Sequence, residues 1–137
     1  MKKPKIFIQD CGHYSNQLLV ICGATKKETF TFLKKKKIIY AKSKWVLENF
    51  DEWNGLVPKT KLGLFCWDTE IDTTVLFLGK FSDDWVYLET LMHELHHATL
   101  HIAKQKGFLE EMENQAYLFE FLFRSIRRKI SGVDPAN

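Results

Sequence analysis

Apolar positions along this chain change period twice, and each change marks a change of element. Lys5 to Asp10 reads as a short strand, followed by a polar loop from Gly12 to Asn16. Gln17 to Cys22 is a dense apolar run, the pattern of a strand covered on both faces, and is expected at the centre of a sheet. Thr25-Lys26-Lys27-Glu28 fits the capping box S/T-x-x-E and predicts a helix through about Lys36, with Phe30 and Leu33 facing inward. A short helix is expected over Trp45 to Trp53, ended by the turn signals Asn54-Gly55 and Pro58. From Leu62 the pattern turns to β. Leu62 to Trp67 and Thr73 to Leu78 read as two strands joined in a hairpin by Asp68 to Asp72.

Two long helical patterns follow. In the first, Leu88, Leu91, Met92, Leu95, Thr99 and Ile102 make one apolar stripe at helical spacing. Ser82, Asp83 and Asp84 supply capping oxygens at its start, and Gly107, after Lys104 and Lys106, supplies its stop. The second runs from Leu109 to Arg128, with Met112, Ala116, Phe119, Phe123 and Ile126 as its predicted buried face. Residues 131 to 137 read as a frayed tail. The expected architecture is one α+β domain: a small, mostly antiparallel sheet packed on one long helix, with a second long helix after it.

Composition sharpens this picture. With 137 residues, 45% of them hydrophobic, including eleven Phe and four Trp, the chain can bury a real core within one domain. No apolar run approaches the ~20 residues of a membrane span. The basic start Met1 to Lys5 leads only into Ile6-Phe7-Ile8, too short for the apolar region of a signal peptide. Cys11, Cys22 and Cys66 are odd in number and lack C-x-x-C spacing, so reduced thiols in a cytoplasm are expected. Lys34 to Lys37 and Arg124 to Lys129 are local basic stretches. The net charge is only +3, and cations suit a helix C-terminus, so nucleic acid is not an expected partner.

The chemistry concentrates in the first long helix. Four of the five histidines lie between positions 93 and 101. His93-Glu94-Leu95-His96-His97 has the H-E-x-x-H spacing, which puts His93 and His97 one helical turn apart on one face, where both rings can reach one ion. Glu94, next to the first ligand, is placed to take a proton from the water such an ion activates. Zinc in a hydrolase takes three protein ligands, so a third is expected from another element. Glu113 is the candidate, because it borders the predicted buried face of the second helix, with the small Ala116 one turn on. Glu110 and Glu111 read as helix-start charges. His101 lies ~12 Å along the helix from His93, too far for easy shared ligation. His13 is the one histidine outside the helix and reads as a surface loop residue. Tyr117 is a candidate oxyanion partner.

His93-Glu94-Leu95-x-His97, followed by Glu113-x-x-Ala116-x-x-Phe119-x-x-Leu122, resembles the ImmA/IrrE-type minimal zincins. The stretches His93 to Ala98, Glu113 to Leu118 and Leu122-Phe123-Arg124 also resemble small phage-encoded zincin-like proteins. Position 96 is His where the ImmA/IrrE motif commonly carries Gly. The resemblance covers about residues 60 to 130. It implies a minimal zincin-like fold, with Zn2+ held by His93, His97 and Glu113 and Glu94 as general base. It further implies an edge strand that pairs with an extended peptide substrate. The expected function is therefore a zinc metallopeptidase acting on protein or peptide. Three alternatives remain at this point: a non-catalytic zinc module in a structural or assembly role, a SprT-like nucleic-acid-associated protease, and a hydrolase of non-peptide amides. Tight specificity in so small a zincin is expected to need a protein partner.

Overall fold

The computed structural model describes residues 5–56 and 62–132. Pro58, residues 1–4 and most of the expected tail therefore lie outside the described residues. The elements run β1 (Ile6–Cys11), β2 (Tyr14–Cys22), α1 (Lys26–Lys35), α2 (Tyr40–Asn54), β3 (Gly63–Asp68), β4 (Thr73–Leu78), α3 (Trp85–Lys106) and α4 (Met112–Ser131). The fold is α+β.

The four strands form one sheet in the order β1-β2-β4-β3. β1 pairs antiparallel with β2, and β3 antiparallel with β4, while β2 and β4 meet in parallel at the centre. The dense apolar run of β2 does occupy the interior of the sheet. The loop before it is shorter than expected, because β2 already begins at Tyr14, which pairs with Cys11 across a bulge, and Gly12 turns at a φ of 64°.

Period-2 alternation builds two cores, one on each face. Leu18, Val20, Phe65, Leu76 and Leu78 point toward α3 and α4 and join Leu91, Leu95, Ile102, Leu122 and Ile126. Their neighbours Ile21, Val75 and Phe77 point the other way and meet Leu33, Val46, Phe50 and Trp53 of α1 and α2. Trp53 stacks on Phe77 with ring centroids 5.4 Å apart. The molecule is thus three layers deep, with β3 at one open edge of the sheet.

Helix ends follow their capping chemistry. Thr25 Oγ1 accepts from the Glu28 N–H at 3.1 Å, and Glu28 Oε1 accepts from the Thr25 N–H at 2.9 Å. Asp84 Oδ1 accepts from the Tyr87 N–H at 2.8 Å at the start of α3, and Gly107, left-handed at φ 78°, closes it. Tyr87 donates its hydroxyl to the Gly79 carbonyl at 2.8 Å, tying the first turn of α3 to the end of β4. Among the described residues no helix is long and apolar enough to cross a membrane.

Three expectations fail. Phe30 does not face inward; it is 52% exposed, and Thr29 joins Leu33 on the buried face of α1. The Thr29 hydroxyl bonds the Thr25 carbonyl at 3.0 Å, which lets a polar residue take that place. The second helix of the chain starts at Tyr40, well before Trp45. α4 is also rotated from the predicted face. Leu118, Leu122 and Ile130 are buried along with the expected Ile126, whereas Met112 is 80% exposed and Ala116 is exposed too. Phe119 and Phe123 lie half-buried at the margin of the core. The aliphatic stripe at i+4 spacing meets the sheet, and the parallel Met and Phe stripe lines a groove against α3.

Candidate metal centre

α3 places the pair by helical periodicity alone. His93 and His97 project from its exposed side, with Nε2 atoms 3.2 Å apart and ring planes at 82°. Two nitrogens bound tetrahedrally to one zinc at ~2.0–2.1 Å would lie about 3.3 Å apart, so the spacing fits a shared ion. Glu94 Oε2 is 3.7 Å from His93 Nε2. Among the described residues His93, Glu94 and His97 form a group able to hold a metal, with ligand atoms within 4.8 Å of one another.

Glu94 differs from its neighbours in being buried, at 8% exposure. A buried carboxylate requires a donor, and it has one: the Phe65 N–H of β3 donates to Glu94 Oε1 at 2.8 Å. Sheet geometry explains why that N–H is available. Gly79 N–H donates to the Leu62 carbonyl, so Leu62, Leu64 and Cys66 turn their backbone groups toward β4. Gly63, Phe65 and Trp67 consequently turn theirs to the open edge. Glu94 caps one of these edge donors with one oxygen and presents the other to the histidine pair.

Gly63 makes the approach possible. A Cβ there would sit 3.0 Å from Thr90 Cγ2, 3.1 Å from Leu78 Cδ2 and 3.4 Å from Glu94 Cγ. Its backbone is ordinary strand, so the glycine serves the close packing of α3 on β3. A cleft of about 570 Å³ opens here, lined by Leu56, Leu62, Gly63 and Leu64 on one side and Glu89, Thr90, His93 and Glu94 on the other.

Other sequence candidates lie elsewhere. Glu113 is exposed in the first turn of α4 and is not part of the group. The α4 residues that share a groove with Met92 and His96 include Met112, Ala116, Phe119, Glu120 and Phe123, but not Glu113. Ala116 therefore lines an open groove and is not a point of close helix contact. The rotation of α4 accounts for both placements. Tyr117 is 66% exposed, and His13 is exposed in the turn between β1 and β2. His101 is not part of the group and packs its ring against Phe65 and Trp67. Burial, reinforced by the Lys104 ammonium and opposed by Asp72, holds His101 below the ordinary histidine range.

No disulfide joins the cysteines. Burial, with Glu52 and Glu94 nearby, pushes the Cys66 thiol up to about 11, and burial beside Asp10 pushes Cys11 up to about 12. Both stay protonated at neutral pH and are poor metal ligands. Sequence reasoning missed the Phe65 N–H and Gly63. A backbone donor has no sequence signature, whereas a glycine inside a strand pattern is itself a signal of close approach.

Comparison of the chain with protein-family models, curated proteins and solved structures finds no match.

Proposed function

We propose that this protein is a zinc-dependent peptidase whose centre is built on His93, Glu94 and His97. The observation that carries the reading is the pair of Nε2 atoms 3.2 Å apart beside a buried carboxylate, at the open edge of a sheet. His93 and His97 offer the nitrogens for a zinc ion, which when bound would supply a water of pKa about 7 and polarise a carbonyl oxygen. Glu113, which lies outside their group, is the proposed third ligand once the start of α4 moves toward them. Glu94 takes a proton from the attacking water at Oε2 and returns it to the leaving amine. The outward groups of Gly63 and Trp67, with the Phe65 carbonyl, pair with an extended peptide while Glu94 holds the Phe65 N–H. This mode reads backbone more than side chains.

Metal content by elemental analysis, run beside a proteome-wide cleavage screen, tests the reading. Stoichiometric zinc with turnover by the native chain and none by Glu94→Gln is expected. Zinc without turnover in either protein would favour the non-catalytic module. Absence of zinc would remove the proposal.

A further inference from the structure

Trp67 stands at the end of the same open edge, beyond the histidine pair, and its indole is 52% exposed. It shares a face of β3 with Phe65, two residues back, so both rings lie on the side where α3 packs. The two rings stack with centroids 5.6 Å apart and planes 23° from parallel. His101, two turns along α3 from His93, closes on Trp67 from the helix side at 5.3 Å. Three rings from two elements thus meet at the edge of β3, with Phe65 buried beneath and the Trp67 indole open to water. Exposed singly, an aromatic residue needs no explanation; stacked on Phe65 and flanked by His101 on an edge strand, it offers a flat apolar face to whatever pairs with that edge.

Strand geometry says what would reach it. A peptide laid antiparallel on β3 has one residue opposite Phe65, near Glu94, and another two positions away opposite Trp67. Directly opposed residues put their side chains on the same face, with Cβ atoms ~4.5–5.5 Å apart. The second residue therefore extends onto the Trp67–His101 surface whatever its identity.

We infer that Trp67, backed by His101, is a specificity-determining subsite that selects peptides carrying a planar, aromatic side chain two residues from the one opposite Phe65. The inference rests on the peptidase reading for its substrate, but not on turnover for its test. The Glu94→Gln protein is titrated, by fluorescence anisotropy, with labelled Ala/Ser peptides carrying one Phe at successive positions. One position should bind roughly three- to tenfold tighter than the parent peptide, the range of an aromatic pair. That preference should vanish in Glu94→Gln/Trp67→Ala and persist in Glu94→Gln/Trp67→Phe. Equal binding of all peptides, or a preference unchanged by Trp67→Ala, would overturn the inference. So would a change of oligomeric state in Trp67→Ala without any change in peptide preference, which would make the surface a contact between copies. Selective peptide binding by a protein whose native form cleaves nothing would sink the peptidase reading alone and leave the subsite standing.

Discussion

Glu94 and Phe65 are joined across two elements: the carboxylate next to the histidine pair accepts the 2.8 Å hydrogen bond that the backbone of β3 offers to the open edge. That bond settles the burial of Glu94 and aims its second oxygen at His93. It also occupies a donor that an added peptide strand would use, so the carboxylate and a bound strand compete for one N–H.

Two substitutions at Glu94 should therefore separate chemistry from stability. Glu94→Gln retains a carbonyl acceptor for Phe65 and should cost about 1 kcal/mol or less while ending hydrolysis. Glu94→Ala leaves the Phe65 N–H buried without an acceptor and should cost about 1–3 kcal/mol. Urea titrations of the two variants check this, and equal midpoints would mean that the bond contributes nothing to stability.

Zinc content should respond in order of proximity. His93→Ala and His97→Ala each remove one of the two converging nitrogens and should leave the protein without stoichiometric zinc. Glu113→Ala should lower occupancy as well, because two imidazoles alone fall short of the three protein ligands of a hydrolytic zinc site. Full zinc in Glu113→Ala would move the third ligand elsewhere.

Stability of the metal-free chain should depend on pH through His101. Burial and Lys104 lower its folded pKa below the ordinary 6.5. Between the two values the unfolded chain binds a proton that the folded chain refuses, so stability rises with pH there. The contribution is whole above 6.5 and fades as pH falls toward the depressed value. Urea midpoints of the native chain and His101→Phe, taken in chelator from pH 7.5 to 5.5, isolate the effect. The native chain should lose more stability on acidification, and parallel slopes would refute it.

Much of this was legible in the sequence, for a physical reason that also marks where legibility stopped. His93, Glu94 and His97 are fixed by local periodicity once α3 is a helix, and α3 declares itself by its stripe, by Asp84 and by Gly107. The hairpin of β3 and β4 is likewise local. The parallel pairing of β2 with β4 is not, because two helices and a strand lie between them in the chain. In α4 two apolar stripes overlap, one ending in Leu118-Leu122-Ile126-Ile130 and one in Phe119-Phe123, and periodicity alone cannot rank them. The sheet ranks them, and the position of Glu113 follows from that choice.

Gly63 should tolerate little. Gly63→Val places branched methyl groups where one Cβ would already be 3.0 Å from Thr90 Cγ2. Overpacking of this kind costs about 1–3 kcal/mol, and it should push α3 off the edge of β3. The sensitive readout is the Phe65 amide, which should exchange with deuterium faster in Gly63→Val than its neighbours Leu64 and Cys66, whose N–H groups bond to β4. Uniform acceleration of all three would mean global destabilisation and no specific loss of the Glu94 contact.

The rotation of α4 gives a last test, because the two stripes make opposite predictions from the same sequence. If the sheet selects the aliphatic stripe, Leu122→Ala removes a side chain with no exposed surface and should cost about 2–5 kcal/mol. Met112→Ala, on the other stripe and 80% exposed, should then lie within about 0.5 kcal/mol of the native chain. Were the helix turned the other way, Met112 would be the costly position and Glu113 would border the core. Chemical denaturation of these two variants therefore reports on the fold of the last helix and, through it, on whether Glu113 must travel to reach a metal.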